Sequence, residues 1–512
     1  MSRNILLSTG ALTIIALITK GTGFIKQAMV AAYFGAGIDT DIYFLAAGII
    51  ANLLFAIDTA LRTVVLPMYS EKRERGGDVE ASKLISNFLI FFILSSMAIV
   101  TTVVAIAPLI AKLIAFTYDT ASLHTLSYYI RIISVSLIFS VIITIFAAVL
   151  NANRQYVFPR AVSILQSLIA ILSILLFYKR FGIISLVFSI PTAYFLQALV
   201  TYLFANKRTS MKLSWQRPSS DTKIALKRML PVLIGSATVQ INQIVDKMIS
   251  SSLETGSVSA LSYSGTLYDF IGTVFIASAT TVFFTELSST AATNNMESHK
   301  LLLRRGISGL TLLLVPITVI TVMLSIDIVS IVFQRGAFDG NAAALTGIAL
   351  SGYAIGFLFY GIRELLARSF YSIGDTKTPM LNSIVAVTVN IIFSIILSRF
   401  IGVGGVALGT SIAAIQSVIF LGFKLNKKLK SIGMRLLLPT VIKVGISAVV
   451  MASVLYLLET LSFAEDMYSL FRFVSATGIG FIIYFIMLKV LKCKELVEFE
   501  MIVYKKIFKV KR

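Results

Sequence analysis

The chain has 512 residues, 57% of them hydrophobic and 13% charged, and its mean hydropathy is +0.90. A water-soluble fold of this length could not hide so much apolar surface, so composition excludes that class. Lys and Arg number 45 against 24 Asp and Glu, a net charge of +21, but no aromatic-interleaved basic patch lies outside the apolar runs, so nucleic acid is excluded and the excess reads as the positive-inside bias of a membrane protein.

A helix needs roughly 20 apolar residues to cross a bilayer. About fourteen stretches qualify: 5–33, 41–68, 82–106, 123–150, 158–178, 183–205, 227–250, 258–288, 302–325, 343–371, 377–398, 402–424, 438–459 and 468–490. The fold class is therefore an all-α polytopic membrane protein. The first stretch follows MSRNILLSTG with no small-residue cleavage site and reads as a retained span. A charged loop with Lys72, Arg73, Arg75 and Lys83 follows the second. Residues 206–226, with the single Trp215, read as a linker between halves. Lys424, Lys427, Lys428, Lys430 and Arg435 follow the twelfth span, and Glu465 and Asp466 precede the fourteenth. With the N-terminus in the cytoplasm the basic loops face inward, an even number of spans returns the C-terminus inside, and Lys179 and Arg180 are the exceptions. The tail 491–512 alternates basic and apolar residues, as either an amphipathic helix on the anionic inner leaflet or a disordered basic tail.

An offset of about 220 residues relates Tyr43 to Tyr263, Pro159 to Pro379, and Phe181-Gly182 to Ile401-Gly402. The expected organisation is two six-helix lobes related by pseudo-two-fold symmetry, an N-lobe over 1–205 and a C-lobe over 227–425. Helices thirteen and fourteen (426–490) lie outside the repeat. Such lobes enclose a cavity that opens alternately to each face.

A charge within a span is costly unless it pairs or faces water, which makes each one a candidate. Lys20 and Lys26 in span one, Arg62 in span two and Arg131 in span four are expected to line a cationic, anion-binding cavity in the first lobe. Asp58 and Arg62 lie four apart on one helix face and can pair. Arg363, Glu364 and Arg368 in span ten suit gating or structural pairing. Asp246, Asp269 and Glu286 are candidates for binding a coupling sodium ion or proton. One cysteine (Cys493) and two histidines (His124, His299) supply no metal, redox or thiol site, so no cofactor is expected. The chain has no nucleotide-binding P-loop and no enzyme constellation, so an ion gradient, membrane potential or consumption of the substrate must drive transport.

Four segments carry a resemblance: GFIKQAMVAAYFGAGIDTDIYF (Gly23–Phe44), QINQIVDKMISSSLETGSVSALSYS (Gln240–Ser264), FQRGAFD (Phe333–Asp339) and ARSFYSIGDTKTP (Ala367–Pro379). Their order and spacing resemble the MviN/MurJ lipid II flippases of the multidrug/oligosaccharidyl-lipid/polysaccharide exporter superfamily. The resemblance covers nearly the whole chain, including the last two spans. It implies a cationic central cavity and a groove, formed with helices thirteen and fourteen, for a polyprenyl tail. Its implied substrate is an undecaprenyl-pyrophosphate-linked saccharide moved from the inner to the outer leaflet of the bacterial cytoplasmic membrane, with membrane lipids and cell-wall synthesis proteins as partners. The family's first-helix cations fall on Lys20 and Lys26, with Lys in place of the usual Arg. Its outward-turn acid falls on Asp41. Asp41 and Asp375, the acid of GDTKTP, are expected in gating or structural roles. An Arg pair that often follows Asn-Leu-Leu is here Phe55-Ala56, and a basic residue of the eighth helix is here Thr266. Fewer, softer cations keep open a second lipid-linked oligosaccharide, of capsule, exopolysaccharide or O-antigen type. An ion-coupled multidrug exporter would prefer an acidic cavity, and a non-transporting scaffold would leave the buried charges unexplained.

Overall fold

The computed structural model describes residues 3–209, 220–460 and 469–496. Trp215, the acids Glu465 and Asp466, and the tail beyond residue 496 lie outside the described residues. Among the described residues the structure is helical, with no strand. In chain order the helices are α1 (Arg3–Phe34), α2 (Ile38–Ile114), α3 (Thr120–Ser134), α4 (Ser136–Ala152), α5 (Val157–Val162), α6 (Ile164–Phe181) and α7 (Ile184–Thr209). There follow α8 (Ser220–Ser251), α9 (Ser257–Ile271), a π-helical stretch Gly272–Ala277, α10 (Ser278–Ala292), α11 (Met296–Met323) and α12 (Ser325–Phe333). The rest are α13 (Gly340–Ala354), α14 (Phe357–Ser372), α15 (Lys377–Ile401), α16 (Val403–Lys428), α17 (Leu438–Thr460) and α18 (Ser469–Val490).

Ten described helices are long and apolar enough to cross a bilayer, twelve if two bent pairs are each one span. A 77-residue α2 would extend about 115 Å if straight, far beyond one bilayer, so it supplies two spans. Its backbone leaves helical geometry at Gly77 (φ 73, ψ −174). With the run from α9 to α10, the layout is consistent with fourteen spans. Large apolar side chains such as Phe400 (81% exposed) and Leu176 (69%) point away from the protein, as hydrocarbon solvent requires.

The charged segment after span two differs from the loop the sequence suggests. Helix continues to Gly77 and resumes at once, because the charges pair at helical spacing: Arg75 with Glu71 at 3.1 Å and Lys83 with Glu80 at 2.8 Å, while Arg73 bridges the break to Asp78 at 2.7 Å. The short α12 lies where the sequence suggests only a loop between spans nine and ten.

The 220-residue repeat recurs in the backbone. Gly182 (φ 56, ψ −141) and Gly402 (φ 59, ψ −136) each end one helix and open the next. Arg154 (φ 60) and Gly374 (φ 77) form matching left-handed turns, closed by Gln155 N–H to Leu150 O and Asp375 N–H to Phe370 O, each at 2.9 Å. The span made of α3 and α4 breaks at Val135, and the span made of α13 and α14 bends by 41° after Ala354. Shared left-handed turns at matched positions argue for duplication, since a non-glycine residue such as Arg154 adopts that conformation at a cost.

The described chain packs as two compact units, Met1–Ser259 with Arg335–Asp339, and Ala260–Gln334 with Gly340–Arg512. The first has a core of Leu61, Val65, Phe88, Ile145 and Leu150, all nearly or fully buried. In the second, α11 packs against α17 and α18, and Tyr484 donates its hydroxyl to Leu312 O at 3.2 Å.

Candidate functional site

The first unit contains a cavity of about 620 Å³ lined from α1, α2, α4, α5, α6 and α7, together with Tyr156 before α5 and Ser163 between α5 and α6. Among the described residues, three charged side chains line it: Asp58, Arg62 and Arg160. Arg62 Nε donates to Asp58 Oδ2 at 2.7 Å, and Thr144 Oγ1 donates to Asp58 Oδ1 at 2.5 Å. Both oxygens of the one lining carboxylate are therefore engaged. The remaining polar wall is uncharged and includes Asn151, Tyr156, Gln166, Tyr194 and Gln197.

Of the four cations expected in a first-lobe cavity, this one holds Arg62. Lys20 is exposed and Lys26 half-buried on α1, but α1 contributes Leu12 to the lining. Arg131 lies on α3, ahead of the break at Val135, and its Nε donates to Val104 O at 3.2 Å. The lining from this span comes from α4, beginning at Ser140.

Asp41 sits in the first turn of α2, where acids suit the helix dipole, and is 1% exposed. Its Oδ2 accepts the Gly256 N–H at 2.7 Å, and its Oδ1 accepts the Ser259 N–H at 2.7 Å and hydroxyl at 2.5 Å. Asp246 is buried on α8 and accepts a hydrogen bond from Asn242 at 3.3 Å. Its neighbour Lys247 donates Nζ to Phe44 O at 3.0 Å, and the end of that side chain lies in space that a Cβ at position 48 would enter.

In the second unit a smaller cavity of about 130 Å³ is lined by Tyr268, Asp269, Tyr360, Glu364, Arg368 and the π-helical stretch. Arg368 pairs with Glu364 at 3.3 Å, and Arg363 lies 4.6 Å from the Tyr360 ring centroid. π-Helical insertions are frequent at functional sites. Glu286 is exposed on α10 and does not line this cavity, whereas Asp246 belongs to the first unit.

The GDTKTP motif has a local explanation. Gly374 supplies the left-handed turn, and Asp375 then accepts the Thr378 N–H at 3.0 Å at the start of α15. Lys428, ending α16, donates to Asp375 at 2.7 Å. That ammonium bond foremost, then the Thr378 N–H, holds the Asp375 carboxyl at about 2, below the ordinary 3.8. Folding stability from a depressed carboxyl is complete above the unfolded value and is lost as pH falls through the folded one. Asp375→Asn is therefore expected to lower the melting temperature at neutral pH, modestly because Lys428 is 45% exposed. The gap from wild type should close between pH 3.8 and about 2. A gap that stays constant across that window would remove the carboxylate from the account.

The lipid II flippase MurJ family model matches residues 30–505. The chain belongs to this family. The probable lipid II flippase MurJ of Borreliella burgdorferi is 28% identical over 433 residues, covering 82% of this chain and 83% of that protein. The corresponding protein of Buchnera aphidicola subsp. Baizongia pistaciae is 26% identical over 476 residues, covering 91% and 92%. A solved lipid II flippase MurJ in an inward closed conformation superposes with a TM-score of 0.80 at 25% identity, over 95% of this chain and 99% of the other. An inward-facing MATE multidrug transporter of the MOP superfamily shares the fold, with a TM-score of 0.67 at 13% identity over 82% of this chain.

Sequence reasoning missed Arg160 and the uncharged wall. Arg160 follows Pro159 at the start of a span, where a charge reads as loop. Its repeat position is Met380, and that asymmetry was the available signal.

Proposed function

We propose that the chain moves an undecaprenyl-pyrophosphate-linked saccharide of the lipid II type from the inner to the outer leaflet by alternating access. The observation that supports this best is the first-unit cavity, in a member of a lipid II flippase family, with two arginines against one aspartate and an otherwise uncharged polar wall. A diphosphate needs cationic partners, while a long isoprenoid need not leave lipid. In this reading both termini are cytoplasmic, and α17 and α18 help to seat the tail. Lys20 and Lys26 lie along the path of the anion. Arg363, Glu364 and Arg368 take part in switching, and Asp246, Asp269 or Glu286 meets the coupling sodium ion or proton. A second reading, another polyprenyl-linked oligosaccharide, draws on Phe55, which lines the cavity where the resemblance expects an arginine.

Complementation tests the first reading. In a host depleted of its own lipid II flippase, the chain is expected to restore growth and the appearance of lipid II in the outer leaflet. Lys20→Ala and Lys26→Ala, at equal membrane expression, are expected to lose that rescue. Failure of well-expressed wild type would move the reading to the second substrate class.

A further inference from the structure

Charge in the first-unit cavity is unevenly satisfied. Arg62 pairs with Asp58, whose other oxygen accepts the Thr144 hydroxyl. Arg160 lines the same cavity, and its side chain has no ion pair or hydrogen bond among the described residues. An unpaired guanidinium lining a cavity is an anion receptor, because its fork of donors matches phosphate oxygens. The backbone leading to position 160 is defined by a turn and a helix start. The turn at Arg154 closes onto Leu150, and Pro159 lies in the first turn of α5, where its fixed φ is compatible with a helix.

The wall beside Arg160 has a different chemistry. Gln166 Nε2 donates to Gln197 Oε1 at 2.9 Å, which holds two amides together at the cavity, and Tyr156 and Tyr194 add phenol groups. Amides and phenols both donate and accept, as sugar hydroxyls do. The cavity volume of about 620 Å³ lies within the usual range for ligand sites.

We propose that Arg160 anchors the diphosphate of the lipid-linked substrate and that Tyr156, Gln166, Tyr194 and Gln197 hold its adjoining sugar. This assignment rests on the flippase reading above and divides its cavity into an anion subsite and a saccharide subsite.

Binding to the full-length, detergent-purified chain separates the two. The probes are lipid II and undecaprenyl diphosphate, which has the anion but neither sugar nor peptide. Arg160→Gln is expected to weaken both probes by about ten-fold or more, the size of a lost charge-assisted hydrogen bond, with Arg160→Lys in between. Tyr156→Ala and Gln166→Leu are expected to weaken lipid II several-fold and leave undecaprenyl diphosphate unchanged. Arg160 is exposed and its side chain makes no hydrogen bond or ion pair among the described residues, and an unchanged melting temperature will show that Arg160→Gln is folded. Equal binding of both probes by wild type and Arg160→Gln would overturn the anchor. Loss confined to lipid II would also overturn it, assigning Arg160 to a peptide carboxylate. Wild type that binds undecaprenyl diphosphate through Arg160 but not lipid II would keep the anchor and refute the lipid II reading. Wild type that binds neither probe would overturn both.

Discussion

Asp41→Ala is expected to destabilise the protein by about 3–5 kcal/mol, because it strips acceptors from two backbone N–H groups and a hydroxyl at a buried site. The carboxylate is 1% exposed, so water has little access to replace it. Its two oxygens divide the work, Oδ2 taking Gly256 and Oδ1 taking both donors of Ser259. Gly256 presents its N–H from a left-handed turn (φ 93) that other residues seldom adopt. The division of labour gives Asp41→Asn a graded outcome. Its Oδ1 can still serve Ser259, but its Nδ2 would face the Gly256 N–H, donor against donor. Asparagine should therefore lie between wild type and alanine in melting temperature, and the Gly256 amide should lose hydrogen-exchange protection in both variants. An alanine variant that melts with wild type would show that these bonds carry no net stability.

Much of the fold is legible in the sequence because the bilayer demands it. Spans need long apolar runs, so their existence and approximate limits follow from hydropathy alone, and a duplicated turn leaves its glycine and proline behind. The i, i+4 spacing of Asp58 and Arg62 fixes a shared face whatever surrounds the helix. What a charge faces is a different matter. It depends on how each helix is rotated about its own axis, and a helix that is apolar all round gives no polar stripe from which to read that rotation. Hence Lys20, Lys26 and Arg131 could be recognised as unusual but not placed, and Arg160 escaped notice. The partners of Asp41 lie more than 200 residues away, in a turn whose conformation no local pattern reveals.

The second large effect is expected at the glycine of FQRGAFD. Gly336 has φ 59, and a Cβ built there would press into the backbone carbonyl of Ala32, near the end of α1. That same carbonyl accepts the Ala337 N–H at 2.8 Å. Gly35 meets the segment from the other side: its φ is 66, and a Cβ there would press into Ala337 O. The two glycines thus permit one backbone-to-backbone approach, with no flexible side chain to yield. Gly336→Ala should cost about 3 kcal/mol or more, from left-handed strain plus loss of this contact. Gly374→Ala supplies the control, since it has φ 77 but no atom within 4 Å of its built Cβ. It should show only the strain, about 1–2 kcal/mol. Combining Gly35→Ala with Gly336→Ala should cost less than the sum of the two, because either change alone already separates the same surfaces. Thermal melts of the four variants in detergent decide the matter. If Gly336→Ala and Gly374→Ala fall by equal amounts, the conformation of the turn, rather than its close approach to α1, is what the motif's glycine provides.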